Sequence, residues 1–313
     1  MTAPTADQSA EQLPRPTRLS DVKGWLFTTD QLLFDWFLAH QRDRSASGDL
    51  LELGAYMGKS AIFLGARLGE DERFTVCDLF DSPAGDDSNS QEMKRSYSTL
   101  TRRAFEANYL SFHDELPTVL QGLTSIIREH VEDDTVRFAH IDASHLYEHV
   151  HADILAVREL LKDDGVVALD DYRAEHCPGV AAATWQAVAN EGLRPICISG
   201  TKFYGTWGDP EPYRTALVEW IKATGGIWHE VQYINDAPII RLSAKAAADP
   251  EQPVSRHRAK PATKRPAATG PKASAARPAP RHPARGLALD LLPPIVTRAL
   301  VNARRKRKAP AGR

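Results

Sequence analysis

Short apolar runs alternate with longer amphipathic segments from Gly24 to Ser243. Short apolar runs are typical of buried strands, and apolar positions three and four residues apart are typical of helices. We therefore predict strands at residues 50–53, 74–77, 118–121, 136–141, 166–169 and 194–198, and helices at residues 59–68, 96–108, 125–131, 147–161 and 180–190. Helices between successive strands favour a parallel sheet that is covered on both faces. The predicted fold class is α/β, a Rossmann-like, doubly wound and mostly parallel sheet.

Further elements are predicted at the two ends of this domain. Thr29 and Asp30 are predicted to cap a first helix. That helix would bury four apolar side chains, those of Leu32, Leu33, Trp36 and Phe37. A strand at 202–207, a helix at 213–223 and a hairpin at 228–242 that turns near Asn235 and Asp236 are predicted to complete the domain.

The net charge conceals two unlike parts of the chain. The sequence holds 39 Lys and Arg against 41 Asp and Glu, a formal charge of −2, but residues 244–313 carry 17 of the basic residues and 3 of the acidic ones. All aromatic residues lie at or before Tyr233, so the late segment cannot bury enough surface to offset its ordering entropy. We predict a disordered lead-in at 1–20, one folded domain at 21–243, a linker at 244–286 and a basic amphipathic tail at 287–313.

Five consecutive basic residues at 304–308 follow an apolar segment in the predicted tail. This pattern fits an anionic membrane surface, another polyanion or an acidic protein face, and a solvated disordered tail is the alternative. The tail has no aromatic residues for base stacking, so sequence-specific nucleic-acid binding is not expected. The sequence also leaves open whether the protein forms a homo-oligomer.

Cysteine content and hydropathy bear on where the protein works. The sequence has three cysteines, Cys77, Cys177 and Cys197. Their odd number and the absence of a repeated spacing argue against a disulfide framework and fit a reducing compartment. The first twenty residues have no apolar core typical of a signal peptide, and the apolar segment at 287–301 is too short and too interrupted to span a bilayer. We expect a cytoplasmic protein, peripheral at an anionic membrane surface if the tail binds there.

A glycine-rich turn follows the first predicted strand, where the sequence from Glu52 to Gly58 is ELGAYMG. Such a turn lies at the ligand-binding edge of a doubly wound sheet, and glycine lets a ligand approach the backbone. A dinucleotide motif needs a glycine where Tyr56 stands, so this pattern instead fits a cofactor with a cationic amino-acid end and no phosphate. Asp78 ends the second strand, where a carboxylate can accept hydrogen bonds from ribose hydroxyls. A tight turn packed without a ligand is the alternative.

These features resemble the class I S-adenosylmethionine-dependent methyltransferases over residues 24–207. The resemblance implies that the protein is a methyltransferase with S-adenosylmethionine as its cofactor. It also implies that the first motif binds the methionine part, that Asp78 binds the ribose and that the turn after the third strand binds the adenine. The implied cofactor-binding residues are Glu52, Gly54, Ala55, Tyr56, Gly58, Asp78, Gly122 and Leu123.

Carboxylates follow the fourth and fifth predicted strands, as Asp142 and as Asp170 with Asp171. Adjacent parallel strands would bring them to the same edge of the sheet as the glycine-rich turn. Clustered carboxylates raise one another's pKa unless a cation lies among them, and an all-oxygen set favours a hard cation, Mg²⁺ first, with Mn²⁺ or Ca²⁺ as alternatives. His145 is placed to act as a general base, since an unperturbed histidine pKa of about 6.5 suits that task.

The pattern IDASH followed by DDY resembles the metal-dependent sugar O-methyltransferases of the macrocin and mycinamicin type. The resemblance implies that Asp142, Asp170 and Asp171 hold Mg²⁺, and that His145 is the catalytic base beside a catalytic Asp142. It further implies methylation of a hydroxyl on a small molecule, a sugar or another polyol of specialised metabolism. No segment of the sequence identifies the acceptor.

Other interpretations stay open at this stage. The same carboxylates could serve a metal-dependent oxygenase or hydrolase, and a non-catalytic binding or scaffold protein localised by its tail could have the same fold. A second metal site at His149, His151 and Asp153 is less common than a charged surface on a helix. Asp171 could be a solvated turn residue, and Cys177 is interpreted as structural because no activating group is evident.

Overall fold

A nine-stranded sheet forms the centre of the computed structural model, which describes residues 13–82, 100–234 and 236–259. Its strands are β1 (Asp49–Leu53), β2 (Phe74–Asp78), β3 (Thr118–Gln121), β4 (Val136–Ile141), β5 (Leu161–Leu169), β6 (Arg194–Ile198), β7 (Phe203–Thr206), β8 (Trp228–Ile234) and β9 (Ala237–Ser243). The strand order is β3-β2-β1-β4-β5-β7-β6-β9-β8. Strands β1 to β5 pair in parallel, whereas β7 runs antiparallel between β5 and β6. The predicted fold class is confirmed.

Six α-helices of the described residues flank the sheet. They are α1 (Thr28–Asp43), α2 (Lys59–Gly65), α3 (Arg102–Leu110), α4 (Tyr147–Leu160), α5 (Pro178–Asn190) and α6 (Glu211–Thr224). The helix predicted at 125–131 is instead a 3-10 turn over Thr124–Glu129. Helix α3 begins later than predicted because Thr101 caps it, its hydroxyl accepting a hydrogen bond from the backbone N–H of Ala104. Residues 96–99 and Asn235 of the predicted elements lie outside the described residues.

The sheet is covered on both faces, as the alternation of strands and helices predicts. One core contains α1, α2, α3 and α6, with Leu33, Phe34 and Phe37 of α1 fully buried. The opposite core contains α4 and α5, with Ile154 and Val157 of α4 fully buried. Each large apolar side chain buried in this way contributes about 1.5–3 kcal/mol to folding.

The capping prediction for the first helix is wrong. Phe27 is the N-cap of α1, without a side-chain cap, while Thr29 accepts a hydrogen bond from the backbone N–H of Ala244. Asp30 is 1% exposed and accepts hydrogen bonds of 2.8 Å from the hydroxyls of Thr201 and Tyr204. The two polar residues therefore connect α1 to the C-terminal part of the domain.

Backbone hydrogen bonds align the ends of β1, β4 and β5 at one edge of the sheet. The N–H of Asp142 donates to the carbonyl of Leu53 at 2.8 Å, and the N–H of Asp170 donates to the carbonyl of Ile141 at 3.0 Å. Strand β1 has β2 on one side and β4 on the other, so the strand order reverses between β1 and β4. Ligands of open α/β sheets bind at such a reversal, beyond the carboxyl ends of the strands.

The packed chain continues past Ser243, the predicted end of the domain. Ala244 is 1% exposed, Arg67 donates to the carbonyl of Glu251 at 3.0 Å, and the hydroxyl of Ser255 donates to the carbonyl of Pro16 at 2.6 Å. Residues 13–20 of the predicted lead-in take part in this packing, since Leu19 is buried. Residues 1–12 and 260–313, including the predicted basic tail, lie outside the described residues. None of the helices in the described part of the chain is long and apolar enough to cross a membrane.

Truncation after Ser243 is expected to destabilise the domain. It removes eight hydrogen bonds between residues 244–259 and the rest of the domain. At about 0.5–1.5 kcal/mol each, their loss predicts a fall in Tm of at least about 10 °C for a domain of this size. Differential scanning calorimetry measures the effect. Truncation after Ala259 is the matched control, and it should leave Tm unchanged. Equal Tm values for the two truncations would show that residues 244–259 do not stabilise the fold.

Candidate active site

A cavity of about 980 Å³ opens at the aligned ends of β1, β4 and β5. The N-terminal segment forms part of its wall through Lys23, Gly24, Trp25 and Phe27. The cavity also brings together many of the residues predicted to bind cofactor, metal or acceptor. These are Gly54, Ala55, Tyr56, Asp78, Gly122, Leu123, Asp142, His145, Asp170 and Asp171.

The two glycines of the first motif are required by packing inside the protein. Gly54 has φ +81°, and a Cβ there would lie 2.1 Å from the carbonyl oxygen of Asp142. Gly58 also has a positive φ, and its Cβ would meet the ring of Phe105 at 3.0 Å. The sequence predicted that glycine admits a ligand to the backbone. In the structure, Gly54 admits the end of β4, and Gly58 is not among the residues that line the cavity.

Asp78 holds the glycine-rich turn in place. Its Oδ2 accepts hydrogen bonds from the backbone N–H groups of Ala55 and Tyr56 at 2.7 and 2.9 Å, and its Oδ1 accepts one from Phe80. Burial raises the pKa of Asp78, although these three hydrogen bonds oppose the shift. Tyr56 has φ +50°, an uncommon conformation for a residue with a side chain, and the bond to Asp78 helps to hold it. Asp78 remains at the cavity wall, where a ribose contact stays a prediction.

Glu52 lies away from the cavity. It is fully buried, and its Oε1 is 2.8 Å from Nδ1 of His140. The Nε2 atom of the same imidazole lies 3.0 Å from the ammonium of Lys202. Because an ammonium can only donate, Nε2 is the acceptor and the proton on Nδ1 is donated to Glu52. The structure therefore gives Glu52 a partner inside the sheet, and it is not among the residues that line the cavity.

Lys202 also lines the cavity, and the sequence did not single it out. Its side chain is 1% exposed, and its ammonium forms an ion pair with Asp170. Burial alone would lower the pKa of Lys202, but the carboxylates of Asp170 and Asp142 raise it. Lys202 precedes β7, and only the pairing of β7 with β5 brings it to Asp170. No local sequence signal predicts such a non-local contact.

Asp142 and Asp170 form a closely coupled pair at the floor of the cavity. Burial raises the pKa of Asp142 well above its ordinary value, and the neighbouring charge of Asp170 raises it further. Burial also acts to raise the pKa of Asp170, but the ammonium of Lys202 outweighs it and holds that pKa below the ordinary value. One carboxylate of the pair is thus stabilised in its charged form and the other in its protonated form.

Asp171 and His145 form a second group on the rim of the cavity. Asp171 has φ +53°, and its Oδ2 lies 3.6 Å from Nε2 of His145. Burial and the charge of Asp170 raise the pKa of Asp171, while His145 lowers it. Ligand atoms of His145, His176 and Cys177 also lie within 4.8 Å of one another.

The predicted metal ligands fit a hard divalent cation in part. Ligand atoms of Asp142, Asp170 and His140 lie within 4.8 Å of one another, whereas Asp171 is not in that group. Both nitrogens of His140 already have partners, so the two carboxylates are the available donors. If Asp142, Asp170 and Asp171 were all ionised, three carboxylates would face one ammonium, and a divalent cation would balance the two remaining negative charges.

The considered second metal site on α4 does not form among the described residues. His149 lies 3.0 Å from the hydroxyl of Ser144, and His151 lies 2.5 Å from a carboxylate oxygen of Glu191. Asp153 turns inward and is 2% exposed. It lines the cavity with the turn at residues 122–125, the predicted adenine contact. Burial raises the pKa of Asp153 to about 7, and the hydroxyl of Thr124 opposes the shift.

Aromatic side chains of the N-terminal segment lie at the mouth of the cavity. Trp25 is 66% exposed, and its ring stacks on that of Tyr56 with the centroids 6.0 Å apart. The ammonium of Lys59 donates to the carbonyl of Gly24 at 2.7 Å and fastens this segment to α2. The stacked pair therefore adds an exposed aromatic surface to the wall of the cavity.

Residues 51–172 match a family model that is described as a methyltransferase domain. No curated protein sequence matches the chain. Among solved structures, the O-methyltransferase NovP is 21% identical, with a TM-score of 0.48 and coverage of 57% of this chain and 79% of that chain.

Two further structures show a similar degree of likeness. CalS11, a TDP-rhamnose 3'-O-methyltransferase of calicheamicin biosynthesis, is 19% identical with a TM-score of 0.40, covering 58% of this chain and 80% of that chain. The methyltransferase PaMTH1 of Podospora anserina, solved with SAH, is 12% identical with a TM-score of 0.40, covering 57% and 79%.

The matched domain spans the glycine-rich turn, Asp78, Asp142 and Asp170, which are the residues that the fold brings into one cavity. The family match and the observed sheet agree over this region, so residues 51–172 are similar in sequence to a methyltransferase domain.

Proposed function

We propose that the protein is an O-methyltransferase that methylates a hydroxyl of a small molecule, a sugar or another polyol, with the help of a divalent cation. One observation carries the proposal. The cavity at the strand ends contains both the glycine-rich turn with Asp78 and a group of acid and base side chains, Asp142, Asp170 and His145. A hydroxyl is a poor nucleophile at neutral pH, so transfer to oxygen is the reaction that benefits from such a group. The resemblance of IDASH and DDY to sugar O-methyltransferases supports the same class of acceptor.

The reaction moves one methyl group and one proton. A bond forms between the acceptor oxygen and the methyl carbon as the bond from that carbon to the sulfonium of S-adenosylmethionine breaks. The hydroxyl proton passes to the imidazole of His145. Asp171 lies 3.6 Å from that imidazole and stabilises its charged form. A divalent cation on Asp142 and Asp170 would supply a Lewis acid that stabilises the alkoxide.

Lys202 sets the charge that the two carboxylates present to the cavity. Its buried ammonium holds Asp170 in the charged form, so Asp170 can hold a cation even though Asp142 beside it has a raised pKa. Without this ammonium, two adjacent buried carboxylates would share a proton. Lys202 is therefore a positioning residue of the proposed site.

Removal of the Asp142 carboxylate is expected to weaken cation binding. In isothermal titration calorimetry of Mg²⁺ and Mn²⁺ into the protein saturated with S-adenosylhomocysteine, Asp142→Asn should lower the affinity by roughly 10–100-fold, as is typical when a metal site is impaired. Asp163→Asn is the matched control, because Asp163 is an exposed carboxylate on β5. Absence of cation binding to the wild type would contradict the metal part of the proposal and leave Lys202 as the cation of the site.

Replacement of His145 is expected to slow the chemical step. With an acceptor identified from a panel of sugars and polyols, His145→Gln should lower kcat by about 10²–10⁴-fold, because a general base contributes that much. The wild-type rate should rise with pH as the base loses its proton, and the variant should lose this rise. His151→Gln, on α4 and paired with Glu191, is the matched control and should keep both rate and pH profile. A variant that retains the wild-type pH profile would show that another group takes the proton.

We also propose that the basic C-terminal segment binds polyanions or an anionic membrane surface. The support is its sequence, with five consecutive basic residues at 304–308. Deletion of residues 260–313 leaves the described contacts of the domain intact and is expected to abolish salt-sensitive retention on heparin and on phosphatidylserine vesicles. Retention that persists after this deletion would refute the proposal.

A further inference from the structure

A second group of metal-ligating side chains lies on the rim of the cavity, apart from the buried pair of carboxylates. It consists of a ring nitrogen of His145, a ring nitrogen of His176 and the Sγ atom of Cys177, which all lie within 4.8 Å of one another. The Oδ2 atom of Asp171 lies 3.6 Å from Nε2 of His145 and 4.0 Å from Sγ of Cys177. Nitrogen, sulfur and oxygen ligand atoms are therefore close together at this place.

Two segments of the chain that are distant in sequence form this group. His145 lies in the turn after β4, and His176 and Cys177 lie in the turn before α5. Gly179 lets the two turns approach, because a Cβ there would lie 2.5 Å from the carbonyl oxygen of His145. The backbone N–H of Cys177 donates to the carbonyl of Ala174 at 3.1 Å and holds the second turn. The packing of the backbone therefore brings the three side chains together.

The chemistry of these side chains selects a different cation from the one proposed for the carboxylate pair. Thiolate and imidazole are ligands of Zn²⁺, whereas Mg²⁺ prefers oxygen ligands. Ligand atoms at about 2.0–2.3 Å from a tetrahedral zinc ion lie about 3.3–3.6 Å from one another. The atoms of the group reach this geometry through small side-chain rotations. Cys177 is also the N-cap of α5, and the N-terminus of a helix stabilises the negative charge of a thiolate.

We propose that His145, His176 and Cys177 bind Zn²⁺, and that the bound ion inhibits methyl transfer. Binding releases the thiol proton to solvent. A neutral imidazole has one nitrogen lone pair, so a His145 side chain that holds zinc cannot also accept a proton from the acceptor. Asp171 or a water molecule would take the fourth coordination position. The site itself is independent of the proposed function, whereas the inhibition rests on His145 being the base.

Cobalt titration of the full-length protein, reduced, without an affinity tag and in excess Mg²⁺, tests the site. Co²⁺ takes the place of Zn²⁺, and a cobalt–thiolate bond gives a near-ultraviolet charge-transfer band that imidazole and carboxylate ligands do not give. The wild type is expected to show this band at stoichiometric Co²⁺, and Zn²⁺ should remove it. Cys177→Ala should lose the band, and the matched control Cys197→Ala, which removes another buried thiol, should keep it.

His176→Gln is the second variant, because His176 is exposed and its replacement should leave the fold intact. It is expected to lower the zinc affinity at least about tenfold in competition with a chromophoric chelator. His151→Gln, whose imidazole pairs with Glu191, is the matched control and should keep the wild-type affinity. A wild type without the charge-transfer band, or a band that survives in Cys177→Ala, would overturn the proposed site.

Methyl-transfer rates at saturating Mg²⁺, with and without Zn²⁺, test the inhibition. Zinc is expected to lower the wild-type rate at least about tenfold, because it removes the general base. His176→Gln should keep the basal rate and lose most of its sensitivity to zinc. An unchanged rate in a protein that shows the cobalt–thiolate band would overturn the inhibition. A protein that methylates no hydroxyl would refute the proposed function, and the cobalt band would still decide whether the site exists.

Discussion

The buried ammonium of Lys202 is the interaction on which the charged interior of the domain depends. It contacts Asp170 on one side and His140 on the other, and His140 in turn contacts Glu52. A line of ionisable groups thus runs from the core of the sheet to the floor of the cavity. Charges are tolerated in such an interior only where each has a partner, and loss of one partner of a buried pair costs about 3–5 kcal/mol. The ammonium therefore holds Asp170 in its charged form inside the protein.

The fold could be predicted from the sequence because its determinants are local. Strands β1 to β6 and the helices between them follow from apolar spacing, and the parallel core follows from their alternation. The order of the strands could not be predicted in this way. It places β7 between β5 and β6 and so brings Lys202 to Asp170, through pairing between segments that are distant in the chain. The ends of the domain were also harder to predict, since residues 244–259 are held by polar contacts and few apolar side chains.

The candidate site shows the same division. Asp142 and Asp170 follow buried strands, so the parallel sheet brings them together as the sequence predicts. The sequence predicts that Gly54 lets a ligand approach the backbone. In the structure, the close neighbour that excludes a Cβ there is the carbonyl of Asp142. Asp153 carried a signal that could have been found. It stands among the apolar residues Val150 and Val157 at helical spacing, where an acid has no ordinary structural reason to be.

The hydrogen bond from Ser255 to Pro16 has a consequence for the chain as a whole. It joins the N-terminal and C-terminal ends of the described domain, which therefore lie close together in space. The domain is therefore suited to circular permutation, in which a short linker joins the two present ends and new termini are placed in an exposed loop. The N-terminal segment also forms part of the cavity wall at Trp25. In the permuted chain, this segment would be covalently connected at both of its ends. We therefore expect the domain to tolerate a circular permutation that joins these two ends better than a truncation at either one.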